Sequence, residues 1–218
     1  MLDLILNLPR SRRPRALLLG AHCDDIEIGC GGTLIELRRQ CPDLELHWVV
    51  LSATAQRAAE TRHAAELLLG PGPGTAVQTL AFRESYFPGQ YVELKDCLES
   101  LKALEPDFVF THSRDDLHQD HRLVAELTGN TFRDHLVLEY EIPKYDGGLG
   151  SPQAFTALRS ATVERKIDAL HEAFPSQRRR NWFTPDTFRG LMRLRGVECN
   201  APSGFAEAFD CRKLLLTA

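Results

Sequence analysis

An α/β fold of the Rossmann-like, doubly wound kind is what this sequence predicts: a mainly parallel sheet, helices on both faces and a C-terminal cap region. Three observations predict it. Short continuous apolar runs end in Gly or in polar residues, which suits strands buried on both faces. Segments rich in Ala, Leu, Glu and Arg, all good helix formers, lie between them. Strand and helix alternate four or five times within about 140 residues, the pattern of crossover units feeding a parallel sheet.

The elements follow in order. Residues 15–20, Arg-Ala-Leu-Leu-Leu-Gly, read as the first strand. Gly29, Gly31 and Gly32 then lead into a helix that begins near Thr33. Residues 44–51 form a second strand ending at Ser52, and residues 56–69 a second helix. The Gly/Pro run at 70–74 reads as a surface turn, because strand-like residues 77–82 resume at once. Residues 92–104 read as a helix closed by Pro106, 108–111 as a strand and 112–119 as a loop. Leu123, Val124 and Leu127 place one apolar face on the next helix, and residues 136–140 form a further strand. From Ile142 the chain changes character, with Pro143, Gly147, Gly148, Gly150 and Pro152, then a helix near 163–174 and irregular Pro- and Arg-rich chain. The expectation is one domain over residues 1–218, its core at about 15–141 and its cap at about 142–218, closing over one site. No internal repeat is visible.

Composition narrows the function. A content of 43% hydrophobic and 26% charged residues is that of an ordinary globular protein. The net charge of −4, from 26 Lys+Arg against 30 Asp+Glu, gives no basic field, so nucleic acid is not an expected partner. Arg10, Arg12, Arg13 and Arg15 form one basic cluster and Arg178, Arg179 and Arg180 another. Solvated surface is the plainer reading of each, contact with an anion or a membrane surface the sharper one. No apolar run approaches the roughly 20 residues of a membrane span, so no transmembrane segment is expected. The start of the chain is too short and carries an acid, which argues against a signal peptide. The six cysteines (Cys23, Cys30, Cys41, Cys97, Cys199, Cys211) show no Cys-x-x-Cys pair, and reduced thiols in the cytoplasm are the expectation. A homo-oligomer stays open.

Two loops carry the chemistry. Residues 21–25, Ala-His-Cys-Asp-Asp, follow the first strand, and residues 118–121, His-Gln-Asp-His, follow the strand at 108–111. Sites in open α/β sheets form outside the carboxyl ends of strands, so the loops can meet despite roughly 90 intervening residues. Together they offer two imidazoles and a carboxylate for one metal, with a spare carboxylate and a spare imidazole for proton transfer. That is the inventory of metal-assisted hydrolysis. Asp24 and Asp25 are adjacent, so on a turn one can bind a metal while the other addresses its water. Carboxylate with imidazole suits zinc or another first-row divalent ion. The first loop also reads as a helix N-terminus, where acids complement the dipole. Its glycines faintly suggest a nucleotide or S-adenosylmethionine loop, but the Gly-x-Gly-x-x-Gly spacing is absent and the loop is acidic. In the second loop, Asp116 and Gln119 read as a capping pair, and Asp120 as a carboxylate that orients an imidazole.

With these residues in view, Ala-His-Cys-Asp-Asp-Ile-Glu-Ile-Gly-Cys-Gly-Gly-Thr-Leu at 21–34 and His-Gln-Asp-His-Arg at 118–122 resemble the LmbE/PIG-L family of zinc-dependent N-deacetylases. Members remove acetyl groups from N-acetylglucosamine units in small glycosides, sugar nucleotides or lipid-linked sugars. The likeness extends to Arg57-Ala-Ala-Glu60 ahead of Leu69-Gly70, with one extra residue, and to Lys166-Ile-Asp-Ala-Leu170 and Ser176-Gln177. It covers residues 15–177 and weakens from Arg178 on. The resemblance implies His22, Asp25 and His121 as ligands of one zinc per chain, for which other divalent metals can substitute. It implies Asp24 as general base, and a protonated His118 as oxyanion stabiliser and acid, supported by Asp120. Arg57 would hold substrate hydroxyls or a phosphate, with a surface salt bridge to Glu60 as the other reading. The implied partner is a small N-acetylated amino sugar or its conjugate. An amidase acting on a sugar-linked thiol conjugate, or a non-catalytic metal- or glycan-binding module, is the alternative. Two departures stand out. Cys23 occupies a place where the family usually has Pro or a small residue, and reads as a buried filler with a soft fourth ligand as its rival. Phe174-Pro175 stand where many members place a His. His112, at a strand end, reads as structural, with metal ligation as its rival.

Overall fold

The computed structural model describes residues 4–9, 11–71 and 74–215. Arg10 of the first basic cluster, residues 1–3 at the start of the chain, and Gly72 and Pro73 of the expected turn lie outside the described residues. Among the described residues, β1 (Arg15–His22), β2 (Glu45–Ser52), β3 (Thr75–Thr79), β4 (Phe108–His112) and β5 (Leu136–Tyr140) form a parallel sheet. The antiparallel strands β6 (Ala154–Ala157) and β7 (Ala206–Cys211) complete it, in the order β3-β2-β1-β4-β5-β7-β6. Six helices cover the two faces: α1 (Asp25–Gln40), α2 (Ala55–Leu69), α3 (Tyr91–Ser100), α4 (Gln119–Thr131), α5 (Ser160–Ala173) and α6 (Pro185–Glu198).

Alternation along β1 sorts its side chains between two cores. Ala16 and Leu18 join residues of α1, α2, α5 and α6 on one face. Leu17 and Leu19 join Leu94 and Leu98 of α3 and Leu123, Val124 and Leu127 of α4 on the other. Leu17, Leu18 and Leu19 are wholly buried, each contributing about 1.5–3 kcal/mol of hydrophobic free energy. A strand buried on both faces must be apolar throughout, which is why the run is legible.

The structure departs from expectation in two places. Helix α1 begins at Asp25 rather than near Thr33 and takes in all three glycines. Each Gly weakens a helix by roughly 1 kcal/mol relative to Ala, but here close packing decides. A Cβ at Gly29 would run into the ring of Tyr140, itself pinned by a 2.6 Å hydrogen bond from its hydroxyl to the Leu19 carbonyl. This placement inside a helix also removes the nucleotide-loop reading. The second departure concerns residues from 142 on, which are woven into the core as well as capping it. They supply β6 and β7 to the sheet and α5 against α1 and α2, while Tyr145, Gln177, Arg180 and Trp182 line the site cleft. The supposedly irregular tail contains α6 and β7. No helix among the described residues is long and apolar enough to cross a membrane, and all six cysteines are free.

Candidate metal centre

The strand order reverses direction at β1 and β4, and the carboxyl ends of these neighbours are where open α/β sheets bind ligands. The end of β1 and the turn into α1 deliver His22, Asp24 and Asp25, and the loop after β4 with the first turn of α4 delivers Asp116, His118, Asp120 and His121. The two expected motifs meet there. His22 Nδ1 lies 3.1 Å from His121 Nε2, and Asp25 Oδ2 lies 3.5 Å from each. A tetrahedral ion with bonds of about 2.1 Å needs donor atoms about 3.4 Å apart, so this trio fits zinc or a similar ion. The outward nitrogens are held by carboxylates, as metal-binding imidazoles usually are: His22 Nε2 by Asp120 Oδ2 at 3.1 Å, His121 Nδ1 by Asp116 Oδ2 at 2.9 Å. Lys144 steadies Asp116 at 2.7 Å.

Electrostatics describe the same cage. Burial opposes charge on His22, but Asp120 and Asp25 outweigh it and hold its pKa up at about 10. Burial and the neighbouring His112 push His121 down to about 4. Asp25 stays well below the usual carboxylate range, because the surrounding histidines overcome its desolvation. The cage therefore favours one positive charge, carried by a proton on His22 when no metal is bound.

Asp24 sits beside the cage in an unusual backbone state, φ 92° and ψ −20°. Such a conformation costs on the order of 1–3 kcal/mol in a non-glycine residue and recurs at functional sites. It precedes α1 yet caps no amide with its side chain. Instead its Oδ2 meets Arg57 Nη2 at 2.9 Å. Burial raises Asp24 to about 7, with Arg57 pulling down and Asp25 pushing up. Arg57 also binds Glu60 at 2.9 Å, Ser176 Oγ at 3.1 Å and the Cys23 carbonyl. The expected Arg57–Glu60 bridge is thus present, and the same guanidinium also holds Asp24 at the wall of the cleft. Ser176 donates to Glu60 at 2.6 Å, which joins the separated Arg57…Glu60 and Ser176 stretches in space. Phe174 lies under the guanidinium, its ring centre 5.2 Å from Arg57 Cζ.

Asp120 requires a correction: its carboxylate supports His22, not His118. It also accepts the amides of Ser85 at 2.6 Å and Phe87 at 3.2 Å, fixing the loop between β3 and α3. Only its backbone N–H reaches His118, donating to Nδ1 at 3.2 Å. His118 is the N-cap of α4, so the side chains of 118 and 120 leave the first turn in different directions. With Nδ1 accepting, the neutral His118 ring carries its proton on Nε2. Burial and His22 lower its pKa, against the opposing pull of Asp120 and Asp25. Of the expected capping pair, Asp116 Oδ1 accepts the His118 amide at 2.7 Å while its other oxygen braces His121, but Gln119 donates to the Ser85 carbonyl instead of reaching back. The two rival ligands stand differently. His112, fully buried, accepts the Ala21 amide on Nε2 at 2.9 Å, and the same nitrogen lies 3.2 Å from Asp25 Oδ2, so Asp25, His112 and His121 form a second group able to hold a metal. Cys23 is a buried thiol whose pKa burial lifts to about 12, with its sulfur 3.8 Å from the Ser52 carbonyl.

His22, Asp24, Arg57, His118 and His121 line one open cleft of about 570 Å³. The strand-end cleft gathers a buried carboxylate, imidazoles and a histidine–aspartate cluster, and with its family match the class is an amide-hydrolysing deacetylase. The family model for PIG-L, GlcNAc-PI de-N-acetylase, matches residues 17–132, just over half of the chain, and the chain belongs to this family. Its fold is similar to that of the conserved protein TT1542 from Thermus thermophilus, at 22% identity and TM-score 0.73, covering 93% of this chain and 96% of that one. It is similar also to N,N′-diacetylchitobiose deacetylase from Pyrococcus horikoshii, at 20% identity and TM-score 0.70, covering 95% and 87%. The 4-carboxy-2-hydroxymuconate hydratase GalB from Pseudomonas putida is comparably similar, at 19% identity and TM-score 0.72, covering 94% and 98%. A hydratase on this fold means that the site, not the sheet, must carry the functional argument.

Proposed function

We propose that the protein removes the N-acetyl group from an N-acetylglucosamine-type amino sugar, free or within a glycoside, sugar nucleotide or lipid-linked sugar, using one zinc or similar divalent ion. The observation that carries this reading is the His22–Asp25–His121 trio, each imidazole braced by its own carboxylate, with Asp24 at its side. A divalent ion held by His22, Asp25 and His121 supplies Lewis acidity to the amide carbonyl and to the attacking water. Asp24 takes the proton of that water. Its Oδ2 is engaged by Arg57, which leaves Oδ1 as the basic atom. A base near pKa 7 suits neutral pH, because it is substantially ionised there and still binds a proton. His118 Nε2–H donates to the oxygen on which negative charge develops, as an oxyanion donor does. The proton gathered by Asp24 then serves the departing amine, giving acetate and a free amino sugar. The whole chain is read as one domain whose C-terminal residues form both sheet and cleft wall.

Acetate release from a panel of free, nucleotide-linked and lipid-linked N-acetylhexosamines tests the function. Turnover on at least one of them, abolished by a chelator and restored by zinc, is the expected result. A folded, metal-loaded protein that releases no acetate from any would overturn it.

A further inference from the structure

Two buried charges unused by this chemistry press on the helix that carries Asp25. Lys166 of α5 and Glu207 of β7 are 2% and 4% exposed and pair at 2.6 Å. Glu207 accepts the amides of Gly32 at 2.8 Å and Thr33 at 2.6 Å, and Lys166 Nζ donates to the Ile28 carbonyl at 2.5 Å. All three groups lie mid-way along α1. A regular helix would join the Gly32 amide to the Ile28 carbonyl and the Thr33 amide to that of Gly29. The ion pair thus enters the hydrogen-bond ladder one turn behind Asp25, and a side chain entering the ladder redirects a helix. Gly32 admits it: a Cβ there would stand 2.9 Å from Glu207 Oε1 and 2.8 Å from Leu158 Cδ1.

We propose that Lys166 and Glu207 are positioning residues which set the direction of the first turn of α1, and so the place of Asp25 in the cation cage. The inference rests on Asp25 being a metal ligand. A buried ion pair seldom stabilises a protein more than apolar side chains of similar volume. Its distinctive property here is geometry. A carboxylate meets two adjacent helix amides while the ammonium takes the carbonyl one of them would have used. No apolar pair can reproduce that arrangement, and a helix freed of it would lose the contacts that fix the direction of the turn carrying Asp25. Lys166, matched to the family in sequence yet without a role there, acquires one.

The test uses full-length Lys166→Met/Glu207→Met, which removes both charges together, and Glu207→Gln, which keeps the shape. Three quantities are read at a temperature where circular dichroism shows the variants folded: the zinc dissociation constant by chelator competition, hydrogen exchange at residues 28–33, and kcat and KM at saturating zinc. Zinc affinity should fall roughly 10–100-fold, the usual effect of losing support behind a ligand. The exchange pattern at Gly32 and Thr33 should change, and kcat should drop with KM unchanged. Folded variants with wild-type zinc affinity would overturn the proposal. So would failure of both variants to fold, which would leave the pair a role in stability alone. Asp25→Ala separates the two readings: if it binds zinc as the wild type does, the cage assignment fails. If it loses zinc while the paired variants keep it, only the positioning role fails.

Discussion

Asp24 is poised by opposing neighbours, and that balance can be shifted one residue at a time. Burial and Asp25 raise its pKa while Arg57 lowers it. The base must be ionised, so kcat/KM should rise with pH along an acidic limb set by Asp24. Arg57→Gln removes a cation that favours the carboxylate, so the limb should move to higher pH, and Arg57→Lys should move it less. A pH–rate profile that stays in place for Arg57→Gln would assign Arg57 elsewhere. Asp24→Asn and His118→Ala should keep their metal and lose roughly 10²–10⁴-fold in turnover, the usual range for a positioned acid or base. Metal content and single-substrate kinetics on the same preparations check both halves. Since His22 is held protonated up to about pH 10, metal must displace that proton, and affinity should weaken steadily as pH falls. Titration at two or three pH values would show it. That His22, Asp24, Asp25, His118 and His121 gather at one strand-end site is legible in the sequence, because both motifs directly follow buried strands. The partners are not. Which carboxylate supports which histidine depends on how side chains leave the first turn of α4. The resemblance therefore assigns Asp120 to His118 where its carboxylate meets His22, and sequence spacing does not show that Asp116 braces His121.

At the scale of elements, α1 is where local preference and tertiary packing disagree. Three glycines argue for a late helix start, yet the backbone is helical from Asp25, and Gly29 and Gly32 are needed there because Tyr140, Leu158 and Glu207 approach too closely for side chains. Gly29→Ala should therefore destabilise the protein by about 1–3 kcal/mol through overpacking, despite alanine's better helix propensity. Chemical denaturation measures the sign directly, and a more stable variant would contradict the packing account. Parallel strands β1, β2, β4 and β5 are legible, being short runs dominated by apolar residues. Helix α6 is not, because Pro185 and the arginines around it look like irregular chain. Proline is in fact well suited to the first turn of a helix, and Thr184 caps it by accepting the Thr187 amide at 3.2 Å. Edge strand β6 and its neighbour β7, which lies between β5 and β6, are half-polar, and their pairing depends on each other and on β5 rather than on any local signal.

At the scale of the whole molecule, the sheet brings β1 and β4 side by side and thereby joins residues separated by most of the first half of the chain. The same architecture serves a deacetylase and a hydratase among its structural relatives, so the account stands or falls on its cation cage. Residues from 142 on close the sheet, brace α1 and line the cleft, which explains how a single core and a site can share one chain of this size. The most direct measurement is elemental analysis of the purified wild type, Asp24→Asn and His121→Ala, each loaded with zinc and then freed of excess. About one zinc per chain in the wild type and in Asp24→Asn, and almost none in His121→Ala, is the predicted result. A folded wild type without metal, or a His121→Ala variant that holds as much as the wild type, would contradict the account.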